Sequence, residues 1–173
     1  FVKEKLIKKQ SSNLEIENFQ IKLSEMYSQK RLIHEKSDYT FTDKTLENFF
    51  YIGLLKEIFP HAKIINCKRS PLSSIMSILQ NNLPGVPWAH DLKHIFKYFD
   101  NYYEIINSFK KKFPNFIFEL DLDKFVNNPE VESQKLMKFC DLSWDKKCLE
   151  FYKRKDLISK TTSNIQIRKA INK

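Results

Sequence analysis

Residues 60–81 read PHAKIINCKRSPLSSIMSILQN and predict a buried strand followed directly by a helix. The largely apolar run Ala62-Lys63-Ile64-Ile65 predicts a short buried strand at residues 63–66. Ser70 is a residue type that caps helices, and Pro71 suits the first helical position. We therefore predict a helix from Ser70 to about residue 81.

The junction between this strand and this helix carries positive charge. Lys68 and Arg69 lie there, and Ser70, Ser74 and Ser77 recur at spacings that place them on one helix face. A cation beside a helix N-terminus and a row of hydroxyls predicts an anion site. Leu72, Ile75, Met76 and Leu79 share the opposite face of this helix. The alternative is a buried helix in a βα unit, with one capping serine.

The bulk composition is typical of a basic globular domain. The chain has 173 residues, a formal net charge of +9 and 14% aromatic residues, so we expect one domain whose field attracts anions. Cys67, Cys140 and Cys148 form no paired motif, which favours a reducing compartment, the cytoplasm, over a disulfide framework. No stretch approaches the roughly 18 apolar residues of a membrane span, and we expect no membrane partner. The chain begins at Phe1 inside a helical pattern, so we interpret it as a fragment.

Helices and strands alternate along the rest of the chain. The patterns predict further helices at 12–33, 45–59, 91–112, 129–139 and 145–153, and further strands at 38–42 and 115–120. Such alternation indicates βα units around a parallel sheet, which binds ligands at the carboxyl ends of its strands. Lys44 follows one candidate strand as Arg69 follows another, which favours the anion site. Glu119, Asp121 and Asp123 cluster after a predicted strand and have the pattern of a strand end and a helix cap.

A set of short motifs occurs along the chain in a characteristic order. They are Thr42-Asp43-Lys44, Asn48-Phe49, Tyr51-Ile52-Gly53, Phe59-Pro60-His61-Ala62-Lys63-Ile64-Ile65, Lys68-Arg69, Trp88-Ala89-His90-Asp91-Leu92, Phe139-Cys140-Asp141-Leu142-Ser143-Trp144-Asp145, and Thr162-Ser163 with Gln166-Ile167-Arg168. From about Tyr39 onward this set closely resembles the sulfotransferase family, in the bacterial branch often fused to tetratricopeptide repeats and related to the protein-tyrosine sulfotransferases. The resemblance implies an α/β fold: a P-loop-like three-layer sandwich with a short parallel sheet flanked by helices. Residues 1–173 would be the C-terminal portion of a single sulfotransferase domain, without its N-terminal strand and loop.

The resemblance also implies an activity and its main residues. The family transfers a sulfuryl group from the co-substrate 3′-phosphoadenosine 5′-phosphosulfate (PAPS) to a hydroxyl or amine. In the family motif, an arginine just after a strand and a serine eight residues later hold the 3′-phosphate, and the matching positions are Arg69 and Ser77. Lys44 matches a catalytic lysine that neutralises charge on the leaving phosphate.

Other candidate site residues rest on shorter matches. Ser163, Gln166 and Arg168 match a family segment that closes over the cofactor. His90 is a candidate for lining the acceptor pocket, with a packed interface histidine as the alternative. His90 and His94 are four residues apart on the predicted long helix, but no third ligand and no HExxH glutamate accompanies them, so we predict no metal site.

Parts of the family pattern do not occur in these residues. The Gly-containing phosphosulfate loop is absent, since the only glycines are Gly53 and Gly85 and neither lies in such a loop. In the tyrosine-sulfating relatives the acidic general base follows that loop, and a tyrosine common among relatives is Leu122 here. We therefore expect the loop and base upstream of Phe1, where a tetratricopeptide-repeat domain is also possible. We expect residues 1–173 alone to be inactive.

Two other functions fit parts of the sequence. The charge and aromatic content also suit a non-catalytic basic module that binds nucleotides or polyanions. However, the aromatic residues fall on helix stripes that look buried, and no nucleic-acid motif is present. A nucleotide kinase would need a Walker loop, G-x-x-x-x-G-K-[ST], which these residues lack. We expect the acceptor to be a small molecule, a carbohydrate or a peptide, and not a nucleic acid.

Overall fold

The computed structural model describes residues 13–29, 42–81, 83–153 and 171. The strands are β1 (Ile64–Lys68) and β2 (Ile117–Asp121). The α-helices are α1 (Asn13–Gln29), α2 (Ile52–Ile58), α3 (Pro71–Gln80), α4 (Leu92–Lys112), α5 (Leu122–Asn127) and α6 (Pro129–Phe139). Three 3-10 helices span Leu46–Tyr51, Pro87–His90 and Lys146–Lys153. The described part of the chain is therefore helix-rich α/β.

These elements fall into two compact units. The described parts of Phe1–Ala62 and Asp100–Lys112 form the first unit, and those of Lys63–Phe99 and Phe113–Lys173 form the second. The first turns of α4 thus belong to the second unit and the rest of this helix to the first. The sheet and α3 lie in the second unit.

The first unit is held together by apolar contacts around α2. Ile52 and Ile58 of this helix are buried, and the Gln20 side-chain amide of α1 donates a hydrogen bond to the Ile58 carbonyl. A Cβ on Gly53 would lie 3.1 Å from Cζ of Phe109. Glycine therefore lets α2 approach the C-terminal part of α4 closely.

The second unit is built on a two-stranded parallel sheet. The register pairs Ile64 with Ile117 at one end of the sheet and Lys68 with Asp121 at the other. Ile95 of α4 has no exposed surface, so it is a central core residue of this unit. The sequence prediction of a parallel sheet in a βα arrangement is therefore confirmed for these two strands.

The start of α5 shows why a helix follows β2 immediately. The Asp121 carboxylate Oδ1 accepts hydrogen bonds from the backbone N–H groups of Asp123 (3.1 Å) and Lys124 (3.2 Å). A carboxylate in this position satisfies donors that have no partner within the helix. The predicted strand end and helix cap are therefore confirmed.

The end of α6 is a Schellman motif. Asp141 adopts the left-handed conformation with φ 56°. The Leu142 N–H donates to the Met137 carbonyl at 2.9 Å, and the Asp141 N–H donates to the Lys138 carbonyl at 3.2 Å. Lys63 Nζ lies 2.6 Å from Asp141 Oδ2. This exposed ion pair connects the residue before β1 to the end of α6, although exposed pairs contribute little to stability.

Most of the remaining predicted elements agree with the structure. The predicted helices at 12–33, 70–81, 91–112 and 129–139 correspond to α1, α3, α4 and α6 in the described residues, and the strands at 63–66 and 115–120 correspond to β1 and β2. The helix predicted at 45–59 divides into a 3-10 helix and α2, and the one at 145–153 is a 3-10 helix. Helix α5 was not predicted. The strand predicted at 38–42 lies outside the described residues except for Thr42, which has no regular structure.

Two expectations about α3 are wrong. Ser70 occupies the cap position, but its side chain makes no capping hydrogen bond. The face that carries Leu72, Met76 and Leu79 is largely exposed, so α3 is not the buried helix of the alternative reading. The exposed fractions are 69% for Leu72, 47% for Met76 and 46% for Leu79.

No helix within the described ranges is both long and apolar enough to cross a membrane.

Replacing Ser133 with alanine is expected to destabilise the second unit. Ser133 is buried, and its hydroxyl accepts a hydrogen bond from Trp144 Nε1 at 2.8 Å while donating to the Glu130 carbonyl at 2.9 Å. Alanine leaves the indole N–H without this acceptor, which costs about 1–3 kcal/mol. Urea denaturation would measure this loss. Ser143→Ala removes an exposed hydroxyl nearby and serves as the control; an equal effect of the two variants would contradict the prediction.

Candidate functional site: an anion site at the start of α3

Arg69 directly follows β1 and folds back onto the first turn of α3. Its Nε donates to Ser74 Oγ at 3.1 Å, and its Nη2 donates to the Ser73 carbonyl at 3.2 Å. Ser74 Oγ in turn donates to the Ser70 carbonyl at 3.2 Å. The guanidinium group of an exposed arginine is thereby held at the N-terminus of a ten-residue helix.

These contacts leave much of the donor capacity of Arg69 for another partner. A guanidinium group has five N–H donors in a planar fork, and the first turn of α3 engages one on Nε and one on Nη2. The nitrogens Nη1 and Nη2 form the end-on edge of this fork, and this edge can bind two oxygens of a phosphate or sulfate group at once. The positive end of the helix dipole adds to the attraction for an anion.

Ser77 lies on the same face of α3 as Ser74, three residues further along, where side chains are neighbours. Its Oγ accepts a weak hydrogen bond from Asn81 Nδ2 at 3.4 Å, and its carbonyl accepts a stronger one from the same nitrogen at 2.7 Å. The structure therefore places Arg69 against Ser74, and Ser77 lies about one turn further along the face that carries Ser74. That Arg69 and Ser77 hold a phosphate stays a prediction.

The second cation of the junction has a different role from Arg69. Lys68 Nζ lies 3.1 Å from Glu119 Oε2 on the neighbouring strand. This ion pair connects β1 to β2, and the charge of Lys68 is balanced there. Of the two neighbouring cations Lys68 and Arg69, it is Arg69 that contacts the start of α3.

Lys44 is an exposed residue of the first unit, just before the 3-10 helix Leu46–Tyr51. The preceding Asp43 carboxylate accepts hydrogen bonds from the Thr45 N–H at 2.9 Å and from the Thr45 hydroxyl at 2.7 Å. This side-chain-to-backbone turn defines the backbone path around Lys44. The catalytic role of Lys44 stays a prediction.

His90 lies in the 3-10 helix Pro87–His90 and not on the long helix, which begins at Leu92. The expectation of two histidines on one helix is therefore wrong. His90 Nε2 is 3.1 Å from the Leu83 carbonyl, whereas His94 Nδ1 lies 3.7 Å from Asp91 Oδ1. His90 closes the loop that begins at Leu83, and its role in acceptor binding stays a prediction.

Comparison with known proteins agrees with this chemistry. A model of the sulfotransferase family matches residues 4–146. The chain belongs to the sulfotransferase family. It is also 34% identical over 163 residues to an uncharacterized protein of Aquifex aeolicus (strain VF5), a match that covers 91% of this chain and 21% of that relative. This chain thus spans about a fifth of the length of the relative.

Three residues that the family resemblance singled out are not in the described part of the chain. Ser163, Gln166 and Arg168 all lie beyond residue 153 and before residue 171. Their predicted contacts with the sulfotransferase cofactor therefore stay predictions. Among the residues that the structure describes, no group of three or more His, Cys, Asp or Glu side chains is placed to hold a metal ion.

Cys67, near the end of β1, is exposed. Its neighbours nevertheless remove enough water from around the sulfur that desolvation raises the pKa of the Cys67 thiol. A raised pKa lowers the thiolate fraction at neutral pH. A nucleophilic role for Cys67 in this sulfotransferase-family chain is therefore not supported.

Sequence reasoning missed the contact partners of Arg69. Ser74 was assigned to a helix face, and no contact with Arg69 was expected; the carbonyl of Ser73 carries no sequence signal. The available hint was the arrangement of an arginine before Ser-Pro with a serine in the next turn. The side chain of Arg69, directly before the cap position Ser70, is close enough to reach the first turn of α3.

Proposed function

We propose that this chain is part of a sulfotransferase and supplies the surface that binds the 3′-phosphate of PAPS. The observation that carries the proposal is the hydrogen-bonded position of Arg69 at the start of α3, on the side of the helix that bears Ser77. Ligands of parallel sheets bind at the carboxyl ends of strands, which is where Arg69 lies. The net charge of +9 also favours a nucleotide with several negative charges.

The proposed reaction transfers the sulfuryl group in one displacement. The acceptor oxygen or nitrogen forms a bond to sulfur while the bond from sulfur to the bridging phosphate oxygen breaks. 3′-Phosphoadenosine 5′-phosphate leaves, and the proton of the acceptor passes to a general base. Lys44 is proposed to neutralise the charge that develops on the bridging oxygen, a form of electrostatic stabilisation. Ser163, Gln166 and Arg168 are proposed to contact the cofactor, and His90 the acceptor.

The arrangement of the whole enzyme is also part of the proposal. We place the chain as the C-terminal portion of one P-loop-like, three-layer sulfotransferase domain, in the tetratricopeptide-repeat-associated branch. The phosphosulfate loop and the base are supplied by residues of a longer protein, because these 173 residues contain no glycine loop of that kind. The free cysteines fit a cytoplasmic location. The acceptor is a small molecule, a carbohydrate or a peptide.

Calorimetry with three nucleotides tests the proposed cofactor site. We expect 3′-phosphoadenosine 5′-phosphate to bind roughly ten- to a hundredfold more tightly than adenosine 5′-phosphate, because a charge-assisted contact to the 3′-phosphate is lost in the latter. The isomer 2′-phosphoadenosine 5′-phosphate has the same charge as 3′-phosphoadenosine 5′-phosphate, so it controls for non-specific electrostatic attraction. Equal affinities for the two isomers would indicate a non-specific polyanion module. Equal affinities for all three nucleotides would contradict the proposal.

A further inference from the structure

The hydroxyl of Ser74 has two hydrogen-bond partners that together determine its orientation. It accepts from Arg69 Nε at 3.1 Å and donates to the Ser70 carbonyl at 3.2 Å. Since the hydroxyl has a single proton, donation to Ser70 turns a lone pair toward Arg69. Ser74 is half-buried, and its contact with the Ser70 carbonyl is partly shielded from water, whereas its contact with Arg69 is exposed.

We propose that Ser74 is a positioning residue that orients Arg69 for the 3′-phosphate; this rests on the proposed function. An arginine side chain without such contacts samples many rotamers, and binding a ligand would have to order it. With Nε and Nη2 attached to α3, the plane of the guanidinium group is determined before the ligand arrives. The end-on edge of the fork is then presented to a phosphate on the side of α3 that carries Ser77.

Ser73 provides a natural comparison for Ser74. It meets Arg69 through its backbone carbonyl, at 3.2 Å from Nη2, and its side chain is exposed. Removing the Ser73 hydroxyl therefore leaves both Arg69 contacts in place, whereas removing the Ser74 hydroxyl deletes the acceptor of Nε. The two substitutions are chemically identical and adjacent on one helix, so they differ mainly in this contact.

Calorimetric titration with 3′-phosphoadenosine 5′-phosphate tests the proposal. We expect Ser74→Ala to weaken binding roughly two- to tenfold, the cost of ordering one long side chain on binding, and Ser73→Ala to leave it unchanged. Ser74→Thr keeps an oxygen that can accept from Nε while bonding the carbonyl four residues earlier, so it is expected to restore wild-type affinity. Affinity for adenosine 5′-phosphate, which lacks the 3′-phosphate, is expected to be the same in all variants.

Further variants separate this proposal from the proposed function. If Arg69→Ala leaves the affinity unchanged, the proposed function fails; if Arg69→Ala weakens binding and Ser74→Ala does not, only the positioning role fails. In the Arg69→Ala background, Ser74→Ala is expected to cause no further loss. Should Ser74→Ala fold poorly, Ser74→Cys, whose sulfur is a weak acceptor, is expected to show the same loss. Wild-type affinity of the cysteine variant would overturn the inference.

Discussion

Replacing Arg69 with alanine is expected to weaken binding of 3′-phosphoadenosine 5′-phosphate by roughly ten- to a hundredfold, the range for losing hydrogen bonds to a charged group. The guanidinium group is already held by Ser73 and Ser74, so its contribution to binding is not offset by a large ordering cost. Isothermal titration calorimetry of the wild-type and variant chains would measure the difference. Affinity for adenosine 5′-phosphate is expected to change little, because the contact is to the 3′-phosphate.

Two control variants separate the hydrogen bonds of Arg69 from its charge. Lys97→Ala removes one positive charge from an exposed position on α4 in the same unit and is expected to leave the affinity within about twofold, since an exposed charge outside the proposed phosphate contacts is screened by salt. Arg69→Lys keeps the charge but loses the planar fork, and it is expected to fall between wild type and alanine. If Lys97→Ala and Arg69→Ala weakened binding equally, Arg69 would be acting only through net charge.

Replacing Lys44 with alanine is expected to lower kcat of the longer enzyme by about 10²–10³, the range for losing one preorganised group that stabilises developing charge. In the proposed mechanism the bridging oxygen becomes more negative as the sulfuryl group departs, so the proposed role of the ammonium group is to stabilise the transition state. A radiolabelled-sulfate transfer assay on the longer protein would measure kcat. The isolated chain, which has no phosphosulfate loop, is expected to show no turnover.

The kinetic pattern of the Lys44 variant distinguishes catalysis from binding. A catalytic role lowers kcat and kcat/KM together, whereas a purely binding role raises KM for PAPS and leaves kcat unchanged. Lys22→Ala removes the same charge from an exposed position on α1 of the same unit and is expected to retain full activity. A raised KM with wild-type kcat would therefore contradict the catalytic assignment of Lys44.

The βα core of the second unit was predictable from local patterns. The apolar run before Lys68 predicted β1, and Pro71 correctly marked the start of α3. Both signals act through neighbouring residues, because proline restricts its own backbone and a strand needs a short apolar run. The position of Arg69 directly after the strand was therefore also predictable.

The environment of α3 was not predictable in the same way. Its serines and apolar residues were correctly placed on different faces, but which face is buried depends on the elements that pack against it. The sequence left open whether α3 is a buried helix, and the structure exposes Leu72 on its apolar side. Similarly, the side chain of Ser70 makes no capping hydrogen bond, although its carbonyl accepts from the hydroxyl of Ser74.

Composition, periodicity and motif order were enough to define most of the helices and strands, the parallel α/β character and the family, because these properties depend on residues close together in the chain. The partners of Arg69, the ion pair of Lys68 with Glu119 and the exposure of Cys67 emerged only after folding. Each depends on which groups meet across a turn or between strands, and on how much water remains around them. The same local sequence permits several such arrangements, and packing in three dimensions selects one.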